Sequence, residues 1–379
     1  MRLLLSCAEI GLGHVSRLIP LGKKLEQNGH EVHYFSGGKA YELLKKEFKN
    51  VYPVQAINWY ENNHGILTSA SVLNILFPLP LFNMEQNRFE MKNSNTYEVI
   101  HRYYDLRENI RELAPDVLVA DGDINALRLG LRWKIPSVYV ENMIRPGFGL
   151  ASLLSPGSQF LERYYRACQK IIIPDNPMPH TVSEYSIGDL DQMGIADRTE
   201  YVGSFIDTKP ERGSQEHVFA PVSGPVGTRG QILNTMLPVL SKEKGKCIIS
   251  LGTPGKKASA KINNYELHTW LTAEERSQAM RNSKYVIFSG GHATCFETLK
   301  YGKPSICIPT QPEQAGNAAK LEKMKCCIVA KNKRQLQKAV VKMERELDAY
   351  TKNAEALSRC SGQFNGLERA VEIIENLKC

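Results

Sequence analysis

Short apolar runs that close on glycine-rich turns and open into helices recur along this chain, and that alternation constrains its fold more than any other feature. Leu3-Leu4-Leu5-Ser6 is the first such run, followed by the turn Gly11-Leu12-Gly13-His14. Val15 to Gln27 then carries apolar residues at Val15, Leu18, Ile19, Leu21 and Leu25, the spacing of an amphipathic helix. Gly29-His30 ends the helix and Glu31-Val32-His33-Tyr34-Phe35 begins the next strand. Strand, turn, helix and strand within about 30 residues make one βαβ unit and predict a parallel sheet.

The alternation returns at Asp116 to Asp121 as a strand, Ile124 to Trp133 as a helix and Pro136 to Val140 as a strand. Lys170 to Pro174 and Glu200 to Gly203 close this half, while residues 58–112 read as helices and loops inserted on the framework. Ser204 to Glu216 is rich in Gly, Pro, Ser and charge, as a linker is. Beyond it the series restarts with strands at His217 to Val222, Lys246 to Leu251, Lys284 to Phe288 and Pro304 to Pro309. Helices are predicted at Gly230 to Leu240, Thr272 to Asn282 and Thr294 to Lys300. The expectation is an α/β chain of two Rossmann-like domains, 1–203 and 217–379, joined by 204–216 and facing each other across a cleft. The mostly helical stretch from Lys331 onward is expected to end in a helix that crosses back to the first domain.

A length of 379 residues suits two domains, and 42% hydrophobic with 23% charged residues is an ordinary globular composition. The longest apolar stretch, Val72 to Phe82, is interrupted by Asn74, Pro78 and Pro80 and is too short to span a bilayer. The apolar run at the N-terminus is too short for a signal-peptide core. Nine cysteines without a CxxC pair suggest reduced thiols in a cytoplasmic protein and argue against a zinc site. The net charge of +8 would suit phosphate-bearing ligands, nucleic acid or an anionic membrane face. Nucleic acid is disfavoured because the basic residues form no aromatic-interleaved platform.

Open α/β sheets bind ligands outside the carboxyl ends of their strands, which directs attention to the turns there. Gly13 opens a helix and His14 would project into the cleft as a base near neutral pH; a tight turn with a surface histidine describes the same residues. Gly290 and Gly291 form a second such turn, whose helix start favours phosphate. Thr294 could cap that helix or meet a phosphate oxygen, and Glu297 one turn on could accept ribose hydroxyls. A capping box of Thr294 and Glu297 is the ligand-free alternative. Gln311, Glu313, Gln314 and Asn317 line a third turn, and Ser223, Thr228 and Arg229 a fourth, with an ordinary surface loop as the alternative for each.

Taken together these residues resemble the GT-B glycosyltransferases, in the branch of the peptidoglycan N-acetylglucosaminyltransferase and the UDP-glucuronosyl and plant glucosyl transferases. Ser289-Gly290-Gly291-His292-Ala293-Thr294, Glu297, Gly302-Lys303-Pro304 and Glu313-Gln314 with Asn317-Ala318 look like that family's donor signature, and Gly13-His14 like its N-terminal loop. Arg229 with Ile232-Leu233-Asn234 and Pro238 looks like the phosphate-side loop and helix. The resemblance implies that Glu297 binds the ribose, that the Gly-rich turn and Thr294 face the diphosphate, with His292 helping to hold it, and that Glu313 and Gln314 face the sugar. It also implies an inverting transfer from a UDP-sugar without metal or other cofactor. His14 is then the base, oriented by Asp121 or, as second choice, Asp123. The acceptor is left open, with a lipid-linked one and peripheral membrane contact as one option resting on Gly65 to Phe82. Gly13-His14-Val15-Ser16-Arg17 also resembles sugar-nucleotide hydrolases of this fold, in which water replaces the acceptor. A non-catalytic sugar-nucleotide-binding subunit is a third reading.

Overall fold

The computed structural model describes residues 1–9, 12–58, 60, 69–83, 87–145, 147, 155–211, 213–224, 226–242, 245–253 and 257–377. Gly11 and residues 65–68 of the apolar stretch lie outside them. Two seven-stranded sheets organise the chain. The first runs in the order Val51–Pro53, Glu31–Ser36, Arg2–Cys7, Val117–Asp121, Ser137–Val140, Lys170–Ile173, Thr199–Tyr201, with every pairing parallel. Its central strands are apolar on both faces because helices cover both, as parallel sheets require. Leu3 and Leu5 face one core with Val15, Leu18 and Leu21 of the helix Gly13–Gln27, while Leu4 faces the other with Leu118 and Ala126.

The second sheet has the order Ser259–Ile262, Tyr265–His268, Cys247–Ser250, His217–Pro221, Ser283–Phe288, Ser305–Cys307, Cys327–Val329. It is parallel except for the edge hairpin Ser259–Ile262 with Tyr265–His268, which the sequence reading did not foresee. In both sheets the strand order reverses beside the first strand of the series. These switch points lie between Arg2–Cys7 and Val117–Asp121, and between His217–Pro221 and Ser283–Phe288. Loops leaving such neighbours diverge to opposite sides and open a crevice.

The C-terminal helix Gly366–Glu375 buries Ala370, Val371 and Ile374 against Leu18, Leu21 and Leu25 of the first half. Glu375 receives Asn28 and the His30 ring, each at 2.8 Å. The described residues of 202–216 carry no helix or strand and are tied to the second half by Glu211 N to Lys300 O and Glu216 N to Asn282 O.

The insertion differs from the expectation of helices and loops. After the short helix Ser69–Leu73 it forms an antiparallel pair, Leu79–Asn83 with Arg88–Lys92, before the long helix Asn95–Leu113. In Leu79–Asn83 apolar residues stand on both faces, Leu79 and Leu81 on one and Pro80 and Phe82 on the other, and in Arg88–Lys92 the alternating Phe89 and Met91 are exposed. Among the described residues no helix is long and apolar enough to cross a membrane.

Candidate functional site

The first switch point brings together residues far apart in sequence. Cys7 pairs with Asp121 in register, so the turn after Arg2–Cys7 and the end of Val117–Asp121 meet. His14 is the second residue of its helix, and its Nδ1 lies 2.7 Å from Asp121 Oδ1. Asp121 is fully buried, whereas the His14 side chain keeps about a fifth of its surface exposed. With Nδ1 turned to the carboxylate, Nε2 is the nitrogen left to meet a substrate, the tautomer arrangement of a base held by a carboxylate. Gly122 makes this approach possible: its φ is +65°, and a Cβ there would run into the His14 ring.

Burial and the nearby Arg17 guanidinium pull the His14 pKa down, but the hydrogen bond and charge of Asp121, with Glu141 behind it, outweigh them and leave it raised. Burial would raise the Asp121 pKa, yet Arg17 and His14 hold it below the usual carboxylate range. Asp123, the second choice for orienting His14, does something else. It caps the helix Ile124–Arg132 through the N–H groups of Asn125 and Ala126, accepts from Ser6 Oγ, and pairs with Arg102 Nη2 at 2.7 Å. Arg102 is 1% exposed and also holds Glu9 at 2.9 Å. That buried triad is framework; of the two aspartates, Asp121 meets the histidine.

The second switch point carries the glycine-rich turn. Gly290 has φ +89°, and a Cβ there would lie 2.7 Å from the Gln314 carbonyl oxygen, so the turn packs directly on the next loop. The helix beyond begins at His292, not Thr294, with Gly291 at its N-cap and no side chain capping it. The proposed Thr294/Glu297 capping box is therefore absent. Thr294 lies inside the first turn and accepts a long 3.4 Å contact from Arg276, while a capping box does form at Thr272 and Glu275. A glycine-opened helix start presents backbone N–H groups and the positive end of the helix dipole, both suited to phosphate.

Glu297 projects from this helix and is paired with Arg276, Nη2 to Oε2 at 2.5 Å. His292 turns across to the first half, its Nε2 3.3 Å from Asp175 Oδ2. Asp175 also accepts from the backbone of Val182 and Ser183 and from the Ser183 hydroxyl; burial would raise its pKa, but His292, the Ser183 hydroxyl and the Val182 N–H hold it low. Gln311 is the N-cap residue of Pro312–Lys323, again without a side-chain cap. Glu313 Oε1 accepts from Asn317 at 3.2 Å and from Asn142 of the first half at 3.0 Å. Gln314 folds back onto Thr310, both of whose donors lie 3.0 Å from its Oε1. Asn317 also donates to the Gly290 carbonyl at 3.1 Å. Arg229 bonds Leu251 O and Thr253 Oγ1, on the far wall of the same crevice; Thr228 is buried and Ser223 exposed.

The sequence reading missed Arg17, Asn142, Arg276 and Asp175 as parts of this arrangement. Arg17 stands one helical turn after His14 on the same face. Asn142 and Asp175 follow the strands Ser137–Val140 and Lys170–Ile173, so the strand-end rule that pointed to the His14 turn reaches them too.

Residues 226–375 match the glycosyltransferase family 28 C-terminal domain. An uncharacterized glycosyltransferase of Methanosarcina acetivorans is 25% identical, over 97% of this chain and 96% of its own length. One from Methanosarcina mazei is 25% identical over 83% of this chain and 82% of its own. Among solved structures, the glycosyltransferase of kitacinnamycin superposes with a TM-score of 0.69 at 14% identity, covering 100% of this chain and 99% of that one. Acinetobacter baumannii MurG gives 0.61 at 14%, over 99% of each chain. Spinosyn rhamnosyltransferase SpnG, complexed with thymidine diphosphate, gives 0.69 at 15%, over 99% and 100%. The fold is the two-domain GT-B fold of these glycosyltransferases. Within it, this chain carries the C-terminal domain of glycosyltransferase family 28.

Proposed function

We propose that the chain is an inverting, metal-independent glycosyltransferase that moves a hexose or N-acetylhexosamine from a UDP-sugar to an acceptor hydroxyl. The observation that carries this reading is the His14–Asp121 pair at one switch point, with the uncapped helix start at Gly291 and His292 at the other. His14 Nε2 takes the acceptor proton as the acceptor oxygen bonds the anomeric carbon, and the bond from that carbon to the diphosphate oxygen breaks. UDP leaves with the electron pair on the face opposite the attack, so the configuration inverts. The N–H groups at the start of His292–Lys300, together with Arg229, take up the developing charge. Glu297 takes the ribose hydroxyls and Glu313 the sugar.

The exposed apolar surface of the insertion supports an acceptor with a lipid part. Leu76 is 66% exposed, Phe89 74% and Met91 65%, far above what a packed strand or helix leaves to water. Flotation with anionic phospholipid vesicles should carry the protein upward, and failure to float would remove the lipid reading. A second reading, sugar-nucleotide hydrolysis, is favoured by Gly13-His14-Val15-Ser16-Arg17 and uses the same base on water. The test for both is UDP release from a panel of UDP-sugars. Release that requires an added acceptor supports transfer, and steady release without one supports hydrolysis. Addition of EDTA should leave either rate unchanged.

A further inference from the structure

The mechanism above uses His14 and Asp121 but leaves a third charged group at their centre. Arg17 is 8% exposed and its fork is fully engaged. Nε donates to Asp121 Oδ2 at 2.7 Å, Nη2 donates to Asp121 Oδ1 at 2.5 Å, and Nη1 donates to Asn142 Oδ1 at 2.6 Å. Nη2 also lies 3.0 Å from His14 Nδ1 and 3.6 Å from Glu141 Oε1.

The ionised Asp121 carboxylate only accepts, so its 2.7 Å contact requires a proton on Nδ1, and arginine has donors only, so Nη2 then shares no hydrogen bond with Nδ1. The Nδ1 proton must point to Asp121, and a positive charge then stands against the ring. We propose that Arg17 is a positioning residue that fixes His14 with its proton on Nδ1 and keeps its proton affinity low enough for Nε2 to act as a base near neutral pH. The proposal rests on His14 being the base.

Without this cation the ring would face two carboxylates, Asp121 and Glu141, from neighbouring strand ends. Two carboxylates beside a histidine favour its charged form and raise its pKa. Arg17 opposes them in the expected direction. Glu313, on the helix Pro312–Lys323, also acts on Arg17, and the helix His292–Lys300, which packs against Gly13–Gln27, carries His292, itself paired with Asp175.

The anchor of the guanidinium reaches the opposite half of the molecule. Asn142 accepts from Arg17 and, with its amide nitrogen, donates to Glu313 Oε1 at 3.0 Å. The fork therefore cannot swing away from Asp121 without breaking its bond to Asn142, which itself holds the sugar-side carboxylate of Glu313. A lysine at position 17 would supply charge but could not span Asp121 and Asn142 together.

The test reads the ring itself. In the full chain, ¹⁵N imidazole spectra are recorded from about pH 5 to 10, and the His14 signal is assigned by its loss in His14→Asn. The neutral wild-type ring is expected to carry its proton on Nδ1. Arg17→Gln is expected to raise the His14 pKa by about one unit or more, the size of effect an adjacent charge has. Arg17→Lys is expected to raise it less and to leave a mixture of tautomers. A wild-type ring protonated on Nε2 would overturn the proposal, as would an Arg17→Gln titration identical to wild type. Should Arg17→Gln fail to fold, Arg17→Lys with unchanged pKa and tautomer overturns it. UDP release by His14→Asn tests the base separately: full turnover there sinks the catalytic reading whatever Arg17 does to the ring.

Discussion

His14 Nδ1 and Asp121 Oδ1 lie 2.7 Å apart although 107 residues separate them in the chain. The contact exists because Arg2–Cys7 and Val117–Asp121 are neighbours in the sheet but not in sequence, so the loops that leave them meet at the switch point. Asp121→Asn keeps the shape and removes the charge. Turnover should fall by roughly 10²–10⁴-fold, the usual range for an impaired general base. Arg17 would lose its main carboxylate partner, so stability should drop by about 3 kcal/mol. Steady-state UDP release and urea unfolding of the same preparation check both parts.

The pH dependence follows from the two shifts. Because the His14 pKa is raised, kcat/KM should climb with pH through a value above the ordinary histidine figure of about 6.5. The same shift acts on stability with the opposite trend: its contribution is complete below about 6.5 and is lost as pH rises through the folded pKa. Asp121 is depressed, so its contribution is present above about 3.9 and is lost as pH falls through its folded value. An activity profile whose acid limb lay below pH 6 would contradict the raised His14 pKa.

Gly122 offers a test of placement alone. Its φ of +65° and its contact with the His14 ring leave no room for a methyl group. Gly122→Ala should cost about 1–3 kcal/mol in strain and displace the ring. A displacement near 1 Å is enough to cost on the order of 100-fold in turnover. Thermal shift with UDP should show donor binding retained, since position 122 belongs to the other half of the cleft.

Arg102 separates framework from chemistry. Replacing it by Leu leaves the buried carboxylates of Glu9 and Asp123 without their cation, and removing one partner of a buried ion pair costs about 3–5 kcal/mol. The urea midpoint should move down strongly. The protein that remains folded should keep the wild-type pH profile, because Asp123 does not touch His14.

Much of the architecture was legible in the sequence because parallel strands buried on both faces read as continuous apolar runs. Leu3-Leu4-Leu5 and Val117-Leu118-Val119 are both fully buried. The strand-end rule then pointed to His14 and the Gly290 turn, and the family resemblance pointed to Asp121. Edge and insertion strands were missed: Ser259–Ile262 is exposed along its whole length and Arg88–Lys92 is largely so, and neither carries a buried face to betray it. The helix start at His292 was read two residues late because Gly291, not a Ser or Thr side chain, ends the loop. Arg17, Asn142 and Arg276 were passed over because their significance lies in partners 104, 171 and 21 residues away, which only the folded chain reveals.

The most direct test of the account compares wild type, His14→Asn and Glu297→Ala for UDP-sugar binding by calorimetry and for steady-state UDP release. His14→Asn should bind the donor within about threefold of wild type while losing at least about 100-fold in turnover, as removal of a general base does. Glu297→Ala should lose donor affinity instead. Turnover by His14→Asn at the wild-type rate would contradict the assignment of the base and with it the central claim.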